Sequence, residues 1–211
     1  MARILVMGAS KGIGLETVRK AINSRYLVRA FARSAYDIRL DHPELEKFRG
    51  NALDHDDVNT ALRDVDVVVQ TLGVGFRELF APVSLFSEAS KLLLSSMKNR
   101  GVKRLICITW FGAGDSSRSI SSFQRLPFEA VFGRAYADKT IQEQLIKSSG
   151  LDWTIVRPGV LTGNFCAGRY QAFDQPNDWR NGIIARSDVA DFCIKHIENP
   201  ASFLKAYVLV K

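Results

Sequence analysis

Cysteine, histidine and long apolar runs are all scarce in this 211-residue chain. Three cysteines, Cys107, Cys166 and Cys193, are odd in number and far apart, so neither a disulfide framework nor a zinc site is expected. Cys107 lies in an apolar run, where a cysteine usually serves as a small buried hydrophobe. His42, His55 and His196 are dispersed. With no carboxylate pair and no cluster of ligands, the sequence offers no metal constellation and no local hydrolase signature. No stretch approaches the roughly 20 apolar residues that a membrane-spanning helix needs. The N-terminal "MARILVMGAS" has one charge and a short apolar run that meets glycines at once. It reads as the first strand of a cytoplasmic protein, not as a signal peptide.

Charge is unbalanced: 29 Lys and Arg against 22 Asp and Glu leave +7. The basic residues are scattered, and the densest cluster, "KNRGVKR" at 98–104, suits a helix C-terminus. Nucleic acid is therefore not an expected partner, whereas a positive field suits a polyanionic small molecule. Hydrophobic residues at 46% and charged residues at 24% are those of an ordinary globular protein. The length fits a single domain spanning 1–211. The sequence leaves open whether it acts as monomer or homodimer.

Apolar runs alternate with helical patterns. Strands are expected at 3–8, 26–33, 48–51, 65–72, 104–109, 152–158 and 206–210, and helices at 12–24, 54–63, 81–100, 138–149 and 187–198. Several strand runs are continuously apolar, the pattern of strands covered on both faces. "DHDDV" at 54–58 reads as a capped helix start, and Ser187 as the cap of the last helix. The alternation predicts an α/β protein, a doubly wound parallel sheet of the Rossmann fold. Segments 110–137 and 160–186 resist the pattern. They follow strand C-termini, where such sheets bind ligands, so they are expected to form the substrate side or else surface loop.

"VMGASKGIG" puts Gly8, Gly12 and Gly14, with Ser10, Lys11 and Ile13 between them, after the first strand and at the mouth of the first helix. Glycines there let backbone approach a diphosphate that faces the helix N-terminus. A tight turn without ligand is the alternative. The second strand ends in Arg33 and Ser34, where NAD sites commonly place an acid. An arginine fork suits a 2′-phosphate, and Lys11 adds a second charge, so NADP(H) is expected over NAD(H).

The spacing Gly-x-x-x-Gly-x-Gly resembles the short-chain dehydrogenase/reductase superfamily. "GNALD" (50–54), "TLGVG" (71–75), "ITWFGAGDS" (108–116), "ADKTIQEQLIKSSGLDWTIVRPGVLTG" (137–163) and "ARSDVADF" (185–192) resemble its atypical subgroup, the NmrA-like proteins and the biliverdin IX-beta/flavin reductases. That resemblance implies Leu53 and Asp54 beside the adenine, Thr71, Leu72 and Gly73 along the middle of the cofactor, and Pro158, Gly159 and Val160 over the nicotinamide. Each has a structural alternative: Asp54 as a helix cap, Gly73 as a turn, Pro158 as a strand end. The chain departs from the subgroup in having Lys11 and Gly12 where a glycine would fall at position 11.

Main-branch enzymes of the superfamily use a Tyr-x-x-x-Lys pair, with a Ser or Thr hydroxyl on the fifth strand end that stabilises the oxyanion. Aligned on the resemblance, Lys139 is the lysine and Thr109 the hydroxyl, but the tyrosine position is Ala135 and the phenol stands at Tyr136. On a helix that shift turns the phenol by about 100°. Tyr136 is therefore a proton donor, a pocket-lining aromatic or a surface residue. Lys139 holds the nicotinamide ribose or is a solvated helix lysine. Phe76, Phe80, Trp110, Phe111, Phe123, Phe128, Phe132 and Tyr170 fall near the expected ligand edge; Phe76, Trp110, Phe111 and Tyr170 are the candidates for a pocket that takes a planar conjugated small molecule. The expected function is NADP(H)-dependent hydride transfer to such an acceptor. The alternative is a non-catalytic NADP(H)-binding sensor or assembly protein.

Overall fold

A computed structural model describes residues 1–73, 84–119, 122–163 and 168–211, with the backbone alone at 117–119, 122–132 and 134. Among the described residues five α-helices flank a large sheet. In chain order the elements are β1 (Arg3–Met7), α1 (Gly12–Asn23), β2 (Leu27–Ala32), β3 (Leu45–Arg49), α2 (His55–Ala61), β4 (Val67–Gln70), α3 (Leu85–Arg100), β5 (Arg104–Ile108), α4 (Ser122–Lys147), β6 (Asp152–Pro158), β7 (Val160–Thr162), β8 (Gln171–Phe173), β9 (Ile183–Ala185), α5 (Arg186–Lys195) and β10 (Lys205–Val210). The sheet runs β3-β2-β1-β4-β5-β6-β10-β8. All pairings are parallel except β8 against β10. A separate parallel ribbon joins β7 to β9, with Val160 opposite Ile183.

Strand alternation divides the core into two layers. Ile4 and Val6 of β1 face α1 and α5, meeting Val18, Ile22, Val189 and Phe192. Leu5 and Met7 face the other way, towards Ala89, Leu93 and Met97 of α3 and Ile146 of α4. This doubly wound arrangement is the Rossmann architecture. The strand order reverses between β1 and β4, and at such a switch point the strand C-termini leave a crevice for ligand.

The structure departs from the sequence pattern at several points, among them the short strands β7, β8 and β9 within the unpatterned 160–186. The third strand is β3 at Leu45–Arg49, upstream of the expected 48–51. Helix α4 begins at Ser122, so much of the unpatterned 110–137 is helical, and the rest of that segment includes a 3-10 turn at Gly114–Ser119. Ser187 does not cap α5. Ala185 holds the cap position, and the Ser187 hydroxyl is buried without a hydrogen-bond partner among the described residues. Asp54 does cap α2, its carboxylate accepting the Asp56 and Asp57 amides at 3.0 Å. No helix among the described residues is long and apolar enough to cross a membrane.

Candidate functional site: a phosphate turn and a buried ion cluster

The glycine turn follows β1 directly. Gly8 has φ +89°, and a Cβ there would stand 2.9 Å from the Thr71 carbonyl. At Gly14 a Cβ would come within 2.2 Å of the Gly8 carbonyl. Only hydrogen at these positions lets α1 close onto β1 and leaves the turn's backbone open to a ligand. The Thr71 hydroxyl donates to the Met7 carbonyl at 2.9 Å and locks the turn from β4. Lys11 precedes α1 in extended conformation and is exposed, and the first turn of α1 carries no acid. Ser10 and Ile13 are half-buried along the turn. The cradle a Cβ would fill, the helix N-terminus and the lack of an acid in its first turn fit a dinucleotide diphosphate.

The neighbouring strand ends complete a rim. Arg33 and Ser34 are exposed just beyond β2, and no described residue pairs with the Arg33 guanidinium. Leu53 is exposed next to Asp54, whose carboxylate is engaged as the α2 cap. Thr71 and Leu72 are half-buried and Gly73 is exposed. Phe76 and Phe80 lie outside the described residues, as do the side chains of Phe123, Phe128 and Phe132.

Helix α4 carries both members of the Tyr/Lys pair. Positions 135 and 136 are well inside it, so backbone irregularity does not absorb the one-residue offset. Ala135, at the position expected for tyrosine, is fully buried. The Tyr136 hydroxyl donates to the Phe111 carbonyl at 3.2 Å, and its ring lies tilted against Trp110 at 5.5 Å. Burial pushes the phenol up to about 12. Lys139 is only 1% exposed. Its ammonium donates to the Ile108 carbonyl at 3.0 Å and sits 3.7 Å from the Phe86 ring centroid and 5.6 Å from that of Trp110. Burial pulls it down to about 8, against the opposing pull of Cys107, Glu143 and Asp138. Lys139 is thus an interior residue, not a solvated helix lysine.

Thr109 is likewise interior. Its hydroxyl donates to Glu143 Oε1 at 2.7 Å. Glu143 also receives Arg157 Nε at 3.0 Å and Nη2 at 2.5 Å. Arg157 is fully buried near the end of β6, bridges to Asp115 in the 3-10 turn, and lies 4.7 Å from the Trp179 ring. For Asp115, burial raises the pKa, but Arg157 and Lys147 outweigh it and hold the carboxyl below its usual range. Asp138, beside Lys139, accepts the Phe86 amide at 2.8 Å and the Ser87 amide at 3.2 Å, satisfying the start of α3. The "DK…E…RP" pattern therefore ties α4 to α3, β5 and β6.

Pro158, the last residue of β6, is buried, and Val160 and Ile183 of the ribbon beyond it are 54% and 53% exposed. Gly159 packs tightly on the Gly182 carbonyl. Arg186, at the start of α5, donates to the Thr162 carbonyl at 2.6 Å. Among the aromatic candidates, Trp110 is half-buried beside Lys139. Phe111 is turned into a core with Trp179, Val208 and Val210. The Tyr170 hydroxyl meets Asp191 of α5 at 3.1 Å and its ring packs edge-on against Phe192. The structure thus separates Phe111 and Tyr170 from Trp110. Among the described residues no group of His, Cys, Asp and Glu could hold a metal.

Sequence reasoning assigned no roles to Asp138, Glu143, Arg157 and Arg186. One signal was available: an arginine inside the apolar run "TIVRP" needs a buried carboxylate.

A parallel sheet in this order, with a glycine turn at its switch point, defines a Rossmann-fold dinucleotide-binding protein. The chain belongs to the NAD(P)H-binding family, whose profile matches residues 8–200. A structure of ChuY, an anaerobilin reductase from Escherichia coli O157:H7, superimposes with a TM-score of 0.82 at 25% identity, covering 99% of this chain and 97% of that one. A short-chain dehydrogenase/reductase from Veillonella parvula in complex with NADP shares the fold, with a TM-score of 0.84 at 13% identity over 100% and 94% of the two chains. An uncharacterized chloroplastic protein of Arabidopsis thaliana is 22% identical over 99% of this chain and 76% of its own length. These are the fold and relatives of NAD(P)-binding oxidoreductases.

Proposed function

We propose that the chain is an NADP(H)-dependent reductase that passes hydride to a small planar conjugated acceptor: a quinone, a flavin, a tetrapyrrole-like molecule or a conjugated carbonyl. The observation that carries this reading is the internal engagement of the acid groups. Ala135 holds the usual phenol position, the Tyr136 hydroxyl is held by the Phe111 carbonyl, and the Thr109 hydroxyl by Glu143. A simple ketone needs a proton donor within about 3 Å of its developing alkoxide. A conjugated acceptor spreads the negative charge and takes its proton from solvent. The anaerobilin reductase activity named for ChuY supports this acceptor class.

The glycine turn would hold the diphosphate, with Arg33, Ser34 and Lys11 at the 2′-phosphate and Leu53 against the adenine. Bound nicotinamide supplies the hydride. Val160 and Ile183 present apolar surface at the β6 end, and Trp110 a flat half-buried face. Lys139 acts from inside, fixing the β5 end through the Ile108 carbonyl.

The test is NADPH oxidation measured with a panel of quinones, flavins, linear tetrapyrroles and aldehydes, for the parent, Tyr136→Phe and Arg33→Gln. The expected result is turnover on conjugated acceptors that Tyr136→Phe changes less than about threefold, and a loss of NADP(H) preference in Arg33→Gln of roughly 10-fold or more. A Tyr136→Phe enzyme slowed by the 100-fold or more typical of a lost general acid would refute the solvent-proton reading.

The engagement of Thr109 and Lys139 also favours a second reading, a non-catalytic NADP(H)-binding sensor. Tight NADP(H) binding with no turnover on any acceptor would select it.

A further inference from the structure

Arg186 lies outside every role considered so far. It opens α5, the helix that packs beside α1 on the same sheet face. A Cβ placed on Gly12 would stand 4.0 Å from both Cδ and Nε of Arg186, so the guanidinium stem borders the phosphate turn. One nitrogen, Nη1, is committed to the Thr162 carbonyl at 2.6 Å. No carboxylate among the described residues pairs with Arg186. Asp188, two residues on, is buried and accepts the Gly168 amide at 3.1 Å. Arg186 is therefore a half-buried cation with spare donors, held beside Gly12, whose φ is +60°. An arginine in that state matches an anion with oxygens in a fixed plane.

We propose that Arg186 is a cofactor-recognition residue that binds a diphosphate oxygen of the dinucleotide across the glycine turn. Through Nη1 it also carries that contact to Thr162, the last residue of β7. Diphosphate occupancy then sets the position of the β7–β9 ribbon, where Val160 and Ile183 stand exposed. Arg33 and Arg186 divide the recognition between them. Arg33 reads the 2′-phosphate that distinguishes NADP from NAD, and Arg186 reads the diphosphate common to both. This rests on the dinucleotide-binding reading of the glycine turn.

The experiment measures equilibrium dissociation constants of NADP+ and NAD+ for the parent, Arg186→Gln, Arg186→Lys and Arg33→Gln, by calorimetry or protein fluorescence, with the melting temperature of each ligand-free protein as a check of folding. Arg186→Gln is expected to weaken both cofactors by a similar factor, roughly 10- to 100-fold, for one charge-assisted contact. Arg186→Lys keeps the charge without the fork and is expected to fall between parent and Arg186→Gln; it decides the matter if Arg186→Gln melts at room temperature. Arg33→Gln is expected to weaken NADP+ alone. An Arg186→Gln protein that binds both cofactors within about twofold of the parent, or that weakens only NADP+, overturns the assignment. A parent that binds neither dinucleotide overturns the underlying reading as well.

Discussion

The buried cluster under β5 and β6 gives the sharpest test of how this fold is held. Replacing Glu143 by Met removes the acceptor of Arg157 Nε, Arg157 Nη2 and the Thr109 hydroxyl together. Arg157 then keeps one carboxylate, Asp115, whose side chain is half exposed. A guanidinium with no exposed surface cannot regain water, so the cost is that of a broken buried pair, about 3–5 kcal/mol. Against a total stability of roughly 5–15 kcal/mol this is a large fraction. At about 2–4 °C per kcal/mol for a domain of this size, the melting temperature falls by roughly 6–20 °C. The double variant Glu143→Met/Arg157→Met removes the stranded charge as well. It is expected to recover most of the loss, because an apolar pair of similar volume often replaces a buried ion pair at little cost. Urea titration of the parent, single and double variants at constant m-value measures both differences. A single variant that loses less than about 1 kcal/mol, or a double variant no more stable than the single, would show that Glu143 does not neutralise Arg157 in the fold.

Two further outcomes follow from the same interior. Lys139 has its pKa lowered by burial to about 8 from 10.5, so between those values the unfolded chain holds the extra proton and stability from this group rises with pH. The stability of the parent minus that of Lys139→Met should therefore climb by about 2–3 kcal/mol from pH 7 to pH 10; a flat difference in pH-resolved denaturation curves would contradict the buried placement of the amine. Gly14→Ala sets a methyl 2.2 Å from the Gly8 carbonyl and 2.6 Å from the Thr71 hydroxyl. It should cost about 1–3 kcal/mol in overpacking and abolish NADP(H) binding, and wild-type affinity in a fluorescence titration would rule out the cradle.

The glycine turn of the candidate site was legible because it depends on local chain. Gly8, Gly12 and Gly14 are constrained by turn geometry within one βα unit, and that geometry is written in residue type and spacing. The absence of an acid after β2 is likewise a statement about one position. The roles of Thr109, Lys139 and Tyr136 could not be read this way. Each depends on where a partner group 25–34 residues away ends up: the Phe111 carbonyl for Tyr136, the Ile108 carbonyl for Lys139, the Glu143 carboxylate for Thr109. Phe111 and Tyr170 have the composition of a pocket, but the first is taken by the core around Val208 and the second by α5.

The sequence alone determined a doubly wound sheet and a glycine turn after its first strand, because strand–helix alternation and glycine spacing are patterns of a few residues at a time. Only the tertiary structure decided that α4 reaches back to Ser122, so that positions 135 and 136 lie inside one helix. It alone decided that the lysine is enclosed by Phe86 and Trp110, and that Arg186, 174 residues beyond Gly12 in the chain, stands at the phosphate turn. Those outcomes follow from desolvation and close packing between distant segments, quantities that exist only once the layers have met.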